Sequence, residues 1–150
     1  MSKELYYNDF TLGQRMESAS SITIEKADAI GFAQQFDPQP YHIDDEGAKN
    51  TMFGELIVSG WHTAAVSMRL KLETDFRYVA GGLLGLGVEY LRWPRPTFPG
   101  DTLRIVITVL EKRQSNSKPD KGIIKYKLET FNHTNDLVME MVTSVIMPIA

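Results

Sequence analysis

The hydrophobic and polar positions divide the chain into a mixed N-terminal part and a C-terminal part with the two-residue period of β-strands. Residues 5–24 predict an irregular first segment followed by an edge strand. At the end of this strand the apolar residues Ile22 and Ile24 alternate with polar ones. After the break at Gly81-Gly82 the strand-like pattern continues to the end of the chain. It predicts four further strands, at residues 83–93, 102–112, 123–132 and 137–147.

Helical periodicity appears in two segments between the first strand and the glycine pair. Apolar residues spaced mostly by three predict a helix that stops before Pro38: Ala27, Ile30, Ala33 and Phe36. The longest candidate is residues 59–75, where an apolar row steps mostly by four: Trp61, Ala65, Met68, Leu72 and Phe76. Further apolar residues widen this row, which predicts a helix wrapped by a sheet. Asp44 is a natural N-cap for a short helical turn between the two helices.

This order of elements predicts an α+β fold, with one long helix packed against a curved antiparallel sheet. A length of 150 residues suits a single domain, residues 1–150. An exposed strand edge in such a sheet favours pairing with a second copy, so we expect a homodimer or a higher homo-oligomer.

Composition and charge exclude several classes of function. The net charge of −3 leaves no basic footprint for a nucleic acid, and no apolar run reaches the roughly 20 residues that span a bilayer. The first residues lack the apolar core of a signal peptide, and the chain has no cysteine, which excludes a disulfide framework and a thiol nucleophile. We therefore expect a cytoplasmic protein without nucleic-acid or membrane partners.

The segment from Asp37 to His42 carries the candidate chemistry. Pro38 pushes Asp37 out of the α region, and Pro40 does the same to Gln39, so we expect a stiff, extended and non-helical loop. A rigid loop that presents one carboxylate and one imidazole can hold a water molecule and share acid–base work. The alternative is structural, since Asp before Pro often opens a turn and His42 could be a buried, satisfied histidine.

The start of the long helix supplies a second candidate feature. Ser59 or Gly60 opens the helix, where free backbone N–H groups and the helix dipole suit a developing negative charge. Gly60 has no side chain to obstruct a ligand. Ser59 also fits a simple capping role and Gly60 a tight turn, and both interpretations can hold together.

These residues together resemble a known motif. Asp37-Pro38-Gln39-Pro40-Tyr41-His42-Ile43-Asp44, followed by Phe53-Gly54 and Ile57-Val58-Ser59-Gly60, resembles the hydratase motif of the MaoC-like dehydratases. That family includes R-specific enoyl-CoA hydratases and has the hot-dog fold. The chain departs from the usual pattern at Gln39, where asparagine is common. The resemblance implies one hot-dog domain that adds water to a trans-2-enoyl-CoA, giving the R-3-hydroxyacyl-CoA.

The resemblance also implies roles for individual residues. Asp37 is the expected general base, His42 its partner on the water, and Gly60 the N–H donor to the thioester oxygen. Substrate contacts are expected from a wider group: Gln39, Tyr41, Phe53, Ser59, Trp61, Arg92 and Arg95. The two arginines suit coenzyme A phosphates because guanidinium forks match phosphate oxygens. Coenzyme A enters as part of the substrate, and we expect no cofactor and no metal, because acidic helix caps explain Asp44 and Asp45.

Two other functions remain open from the sequence. A hot-dog thioesterase would use Asp37 to direct water at the thioester carbonyl, although the paired histidine is unusual for that class. A binding or assembly module would keep the fold without the chemistry, which the retained Asp37, His42 and Gly60 disfavour.

Overall fold

A six-stranded antiparallel sheet forms the body of the protein in the computed structural model, which describes residues 3–150. Its strands are β1 (Arg15–Glu17), β2 (Ile22–Thr23), β3 (Leu84–Arg92), β4 (Thr102–Gln114), β5 (Lys121–Phe131) and β6 (Leu137–Pro148). The strand order is β1–β4–β5–β6–β3, and β2 pairs separately with β4. The four predicted C-terminal strands are confirmed, with β3 at one edge of the sheet. Met1 and Ser2 of the predicted domain lie outside the described residues.

The first predicted strand is interrupted. It forms two short strands, because the hydroxyl of Ser18 accepts the backbone N–H of Ile105 and so replaces a ladder bond to β4. Ser20 then turns away and donates its backbone N–H and its hydroxyl to Glu73. Polar side chains in this Ser-rich stretch thus end the pairing that its apolar alternation predicts.

Four α-helices lie in the N-terminal half of the described residues: α1 (Lys26–Phe36), α2 (Pro40–Ile43), α3 (Asp45–Lys49) and α4 (Gly60–Lys71). The predicted end of α1 before Pro38 is confirmed, and so is the cap at Asp44, whose carboxylate accepts the N–H groups of Glu46 and Gly47. The prediction of a wholly non-helical loop is wrong, because α2 is a helical turn that begins at Pro40. Proline suits this first position, since its fixed φ is helical and the N–H it lacks would have no helical acceptor.

The long helix α4 packs against β4 and β6, but with a different face from the one the apolar row predicts. Thr63, Ser67 and Leu70 are buried, whereas Trp61 and Met68 of the apolar row are exposed. The buried polar groups are satisfied, because the Ser67 hydroxyl donates to the Thr63 carbonyl oxygen and lies 2.6 Å from the hydroxyl of Thr130. The helix also ends at Lys71, and a separate 3₁₀ turn, Asp75–Tyr78, places Phe76 in the core.

The core lies between α4 and the inner face of the sheet. Every second residue of β5 points inward, at Ile124, Tyr126, Leu128 and Thr130, and each of these is buried. The large buried side chains of the core also include Phe10, Ile24, Leu70, Leu103, Ile105, Ile107, Met139 and Met147. The fold is α+β, and none of the helices between residues 3 and 150 has the length and apolar character needed to cross a membrane.

Candidate active site

The end of α1 and the two prolines place the Asp37 carboxylate at a sharp corner of the chain. The N–H of Asp37 still donates to Ala33 as the helix ends, but its φ of −154° and ψ of 66° are no longer helical. Pro38 enforces this departure. The N–H of Gln39 then donates to the Asp37 carbonyl oxygen at 2.8 Å, which folds Gln39 back over the carboxylate.

The short helix α2 turns the imidazole of His42 toward this carboxylate. The Nδ1 atom of His42 lies 2.8 Å from the carbonyl oxygen of Ile57, and the ring is buried. A carbonyl oxygen can only accept, so Nδ1 carries the proton and the neutral ring presents its lone pair at Nε2. Nε2 lies 3.4 Å from Oδ2 of Asp37. In this tautomer two acceptors stand side by side, an arrangement that suits a water molecule donating one proton to each.

Residues at the start of α4 complete the polar end of the site. The Ser59 hydroxyl donates to Oδ2 of Asp37 at 2.7 Å, and its oxygen accepts the N–H of Trp61 at 3.3 Å. Ser59 is therefore both the cap of α4 and a support for the carboxylate. Gly60 is the first residue of α4, so its N–H has no acceptor inside the helix and lies at the positive end of the dipole.

Gln39 and Tyr41 hold the other oxygen of the carboxylate. The Gln39 amide nitrogen donates to Oδ1 of Asp37 at 2.6 Å, and the Tyr41 hydroxyl donates to the Gln39 amide oxygen at 2.5 Å. Both residues were predicted to contact substrate. In the structure they are also hydrogen-bonded to Asp37, Gln39 directly and Tyr41 through Gln39.

The hydrogen bonds outweigh the burial of Asp37. Burial alone would raise the pKa of this carboxyl group, but donation from Gln39 and Ser59 lowers it below its usual value. The carboxylate is therefore ionised at neutral pH and keeps the capacity to accept a further hydrogen bond, since its two oxygens carry about four lone pairs.

A cavity of about 460 Å³ opens beside these groups. It is lined by most of the residues predicted for the site: Asp37, Gln39, Tyr41, His42, Phe53, Gly60, Trp61 and Arg95. Ser59 lies buried behind the cavity wall and reaches it through Asp37. The structure thus brings the acid, the imidazole and the helix N-terminus to one cavity.

Arg92 is placed elsewhere. Its guanidinium group pairs with Glu140 at 2.5 Å, and Arg92 is not among the residues that line the cavity. Arg95, three residues later, does line the cavity and is only loosely paired, with its Nη1 atom 3.9 Å from Oδ1 of Asp136. Arg95 is therefore the better placed of the two to meet an anionic group of a ligand.

Seven residues that line the cavity were not predicted from the sequence as site residues. They are Ile57, Val58, Thr63, Trp93, Pro94, Pro96 and Thr97. The segment after β3 crosses the start of α4, where the N–H of Val58 donates to the Thr97 carbonyl oxygen and the Trp93 indole donates to the Gly60 carbonyl oxygen. The prolines after Arg92 indicate a rigid connecting segment, but nothing in its composition shows which helix this segment crosses.

Potential metal ligands do not cluster in the part of the chain that the structure describes. Across residues 3–150, no three side chains of His, Asp or Glu come together in an arrangement that would hold a metal ion.

Comparison with known proteins identifies the class. The fold is the hot-dog fold, and its site joins an acid, an imidazole and a helix N-terminus. The family model of the MaoC-like domain matches residues 8–131, and the chain belongs to this family.

Individual relatives support this assignment. The uncharacterised protein YdeM of Bacillus subtilis (strain 168) is 32% identical over 139 residues, which cover 93% of this chain and 96% of YdeM. The crystal structure of the MaoC-like dehydratase from Rhodospirillum rubrum superposes with a TM-score of 0.90 at 40% identity and covers 97% of this chain and 98% of that one. The R-hydratase PhaJ1 of Pseudomonas aeruginosa shares the fold, with a TM-score of 0.75 at 24% identity over 98% of this chain and 88% of its own.

Proposed function

We propose that the protein hydrates a trans-2-enoyl-CoA to the (R)-3-hydroxyacyl-CoA, and catalyses the reverse dehydration. The main support for this proposal is the 3.4 Å distance between Nε2 of His42 and Oδ2 of Asp37, in a cavity that the start of α4 also lines. Membership of the MaoC-like family supports a hydratase or dehydratase. The choice of thioester and the R configuration rest on the family resemblance.

The Asp37–His42 pair would activate the water. One water proton faces Oδ2 of Asp37 and the other faces Nε2 of His42, which orients an oxygen lone pair toward C3 of the substrate. As the oxygen bonds to C3, Asp37 takes a proton, and the electron pair of the double bond moves toward the thioester carbonyl. The Asp37–His42 pair then returns that proton to C2, so water is added with no net change in the protein. Positioned acid–base groups of this kind contribute about 10²–10⁴-fold in rate.

The Gly60 N–H would stabilise the intermediate. Negative charge builds on the thioester oxygen as water adds, and a free N–H at the positive end of a helix donates to that oxygen without reorganising. One such donor is worth about 3–4 kcal/mol in the transition state. Gly60 lines the cavity, which brings this N–H within reach of a bound thioester.

Arg95 and the aromatic wall would hold the rest of the substrate. The guanidinium group of Arg95 lies at the cavity with only a 3.9 Å contact to Asp136, so a coenzyme A phosphate can compete for it. Tyr41, Phe53 and Trp61 supply apolar surface for the acyl and pantetheine chains. No separate cofactor enters this scheme, and a cytoplasmic location stays a prediction.

The assay follows a short enoyl-CoA by its conjugated-thioester absorbance and by free thiol. Loss of absorbance without thiol release identifies a hydratase, and thiol release identifies a thioesterase. Binding without either change identifies a non-catalytic module. We expect Asp37→Asn and His42→Gln each to remove most of the hydratase turnover while the fold stays intact. His133→Gln, at an exposed histidine outside the cavity, is the control; near-normal turnover in both site variants defeats the assignment.

The edge strand β3 supports the expected homodimer. Leu84, Leu86 and Val88 on this strand are 66%, 50% and 55% exposed, and the apolar side of α4, with Trp61 and Met68, is exposed too. An unpaired apolar edge of this kind favours pairing with a second copy.

Sedimentation of the protein tests the dimer. We expect a dimer for the unmodified chain and a shift toward monomer for Leu86→Asp, which places charges in the new strand pair. Leu12→Asp changes a leucine that is 66% exposed and lies outside β3, so it serves as the matched control. A monomer at micromolar concentration in the unmodified protein would refute this part of the proposal.

A further inference from the structure

The side chains of Gln39 and Tyr41 form a directed chain of hydrogen bonds that ends on the Asp37 carboxylate. Oδ1 of Asp37 can only accept, so the Gln39 atom at 2.6 Å is the amide nitrogen. The other end of the amide is then the oxygen, which can only accept as well. The Tyr41 hydroxyl, 2.5 Å away, must therefore be the donor. Each bond in this chain has only one possible direction.

We propose that Gln39 and Tyr41 are positioning residues, which fix the Asp37 carboxylate through this chain. The hydroxyl of Tyr41 orients the amide of Gln39, and the amide nitrogen holds Oδ1. This leaves Oδ2 aimed at the imidazole of His42. The inference rests on the proposed function and deepens it, because it gives Gln39 and Tyr41 a role other than reading the substrate.

The local backbone favours this role. The N–H of Gln39 donates to the Asp37 carbonyl oxygen, and the N–H of His42 donates to the Gln39 carbonyl oxygen at 2.9 Å. Gln39 is therefore held at both ends of a tight turn, with its side chain folded back over the acid. The ring of Tyr41 is held between the rings of His42, at 4.4 Å, and Phe53, at 5.2 Å. A packed ring keeps its hydroxyl in one place, as a positioning donor requires.

The length of Gln39 explains why the chain continues to Tyr41. A glutamine has one more rotatable bond than an asparagine, so its amide loses more freedom when it is held at the acid. The Tyr41 hydroxyl offsets this by fixing the far end of the amide. The hydroxyl of Tyr41 should therefore affect Asp37 only while Gln39 is present.

The first experiment needs no turnover, so it can fail or succeed independently of the proposed hydratase activity. The Cγ resonance of Asp37 is followed against pH by ¹³C NMR in the unmodified protein and in Gln39→Met, Tyr41→Phe and the double variant. Methionine keeps the length of the side chain without the donor. We expect the titration midpoint of Asp37 to rise in both single variants, because the carboxylate loses donors that favour its charged form. The double variant should match Gln39→Met.

The second experiment separates positioning from substrate binding by kinetics. If the protein is a hydratase, kcat in Tyr41→Phe should fall about tenfold, the equivalent of one ordinary hydrogen bond. The acid limb of the pH–rate profile should move to higher pH, while KM stays within about twofold. Tyr78→Phe, at an exposed tyrosine outside the cavity, should change none of these quantities.

Two results would overturn the proposal. The first is an unchanged Asp37 titration in both single variants. The second is a large rise in KM with an unmoved acid limb, which would make Gln39 and Tyr41 substrate ligands. Urea unfolding of each variant checks that it is folded. If Tyr41→Phe does not fold, Gln39→Met alone provides the test.

Discussion

The indole of Trp93 rests directly on Gly60. A Cβ atom built at Gly60 would lie 2.6 Å from Cε2 of Trp93, closer than real Cβ atoms approach other atoms, and the indole N–H donates to the Gly60 carbonyl oxygen at 3.0 Å. The ring of Trp61 packs edge-on against the same indole, with centroids 5.1 Å apart. Glycine at this position thus allows the crossing segment to close on the start of α4.

Gly60→Ala should therefore destabilise the protein and disturb the site. The added methyl group must displace the indole of Trp93, and overpacking of this kind costs about 1–3 kcal/mol. Urea unfolding measures this loss, and hydration of a short enoyl-CoA should fall with it.

Gly31→Ala is the matched control. Gly31 lies inside α1, and a Cβ atom added there would meet no atom within 4 Å, so alanine should stabilise the helix by about 0.5–1 kcal/mol. Combining Gly60→Ala with Trp93→Leu should recover stability, since leucine vacates the space. Equal and small effects at both glycines would show that the contact with Trp93 is not restrictive.

Ser59→Ala should have two separable effects. The loss of the cap on α4 should lower the free energy of unfolding by about 1 kcal/mol. The loss of the hydrogen bond to Asp37 should raise the pKa of that carboxyl group, because the donor favours its charged form. The acid limb of the hydratase pH–rate profile should move to higher pH accordingly.

Thr74→Ala separates the two effects of the serine. Thr74 caps the 3₁₀ turn Asp75–Tyr78 through the N–H of Phe76, and it is not among the residues that line the cavity. We expect this control to lose stability without moving the acid limb. A Ser59→Ala profile that coincides with the unmodified one would restrict Ser59 to capping.

The elements that prolines, helix caps and the alternation of apolar and polar residues specify could be predicted from the sequence. Pro38 ends α1 beside Asp37, Asp44 caps α3, and the two-residue period marks β4 to β6. These are local effects, since each depends on the chemistry of a residue and its near neighbours.

The orientation of α4 could not be predicted in the same way. Its sequence offers an apolar row through Trp61 and Met68 and a mixed row through Thr63 and Ser67, both with helical spacing. The mixed row is buried because Ser67 finds partners at Thr63 and Thr130, the second of them 63 residues away. A long-range partner of this kind leaves no signal in local periodicity, and neither does the position of Trp93 over Gly60.

Acid should weaken the packing of α1 on α4 through His62. The ring of His62 stacks on Phe32, with centroids 4.6 Å apart, and its Nδ1 is buried without a hydrogen-bond partner among residues 3–150. Burial lowers the pKa of His62, although the charge of Asp28 opposes this. The unfolded chain therefore binds more protons below pH 6.5, the ordinary value, and stability is lost as pH falls from there toward the pKa of the folded state.

His62→Phe should keep the stacking and remove this dependence. The difference in unfolding free energy between the variant and the unmodified protein should grow in favour of the variant from pH 7 to pH 5, measured by urea unfolding. His133→Gln, at an exposed histidine, is the control for the removal of an imidazole. Parallel curves for His62→Phe and the unmodified protein would contradict the prediction.

Lys71 should destabilise the fold because its charge is buried. The side chain is 6% exposed, and its ammonium group lies 5.4 Å from the ring centroid of Tyr126 and 5.9 Å from that of Phe76. Burial lowers the pKa of Lys71. Contacts of a desolvated cation with aromatic faces return about 2 kcal/mol each, and the lowered pKa indicates that they do not offset the several kcal/mol that an ion loses on leaving water. Lys71→Met should therefore raise the free energy of unfolding at pH 7 by about 1 kcal/mol or more.

The pH dependence distinguishes this cause from better packing by methionine. Because the folded state has the lower pKa, the penalty is complete below that pKa and disappears as pH rises toward 10.5, the ordinary value. The advantage of Lys71→Met should thus shrink as pH rises toward 10.5, as measured by urea unfolding. Lys118→Met, at an exposed lysine in the loop before β5, is the control for replacing a lysine with methionine. An advantage that is independent of pH would assign the gain to packing alone.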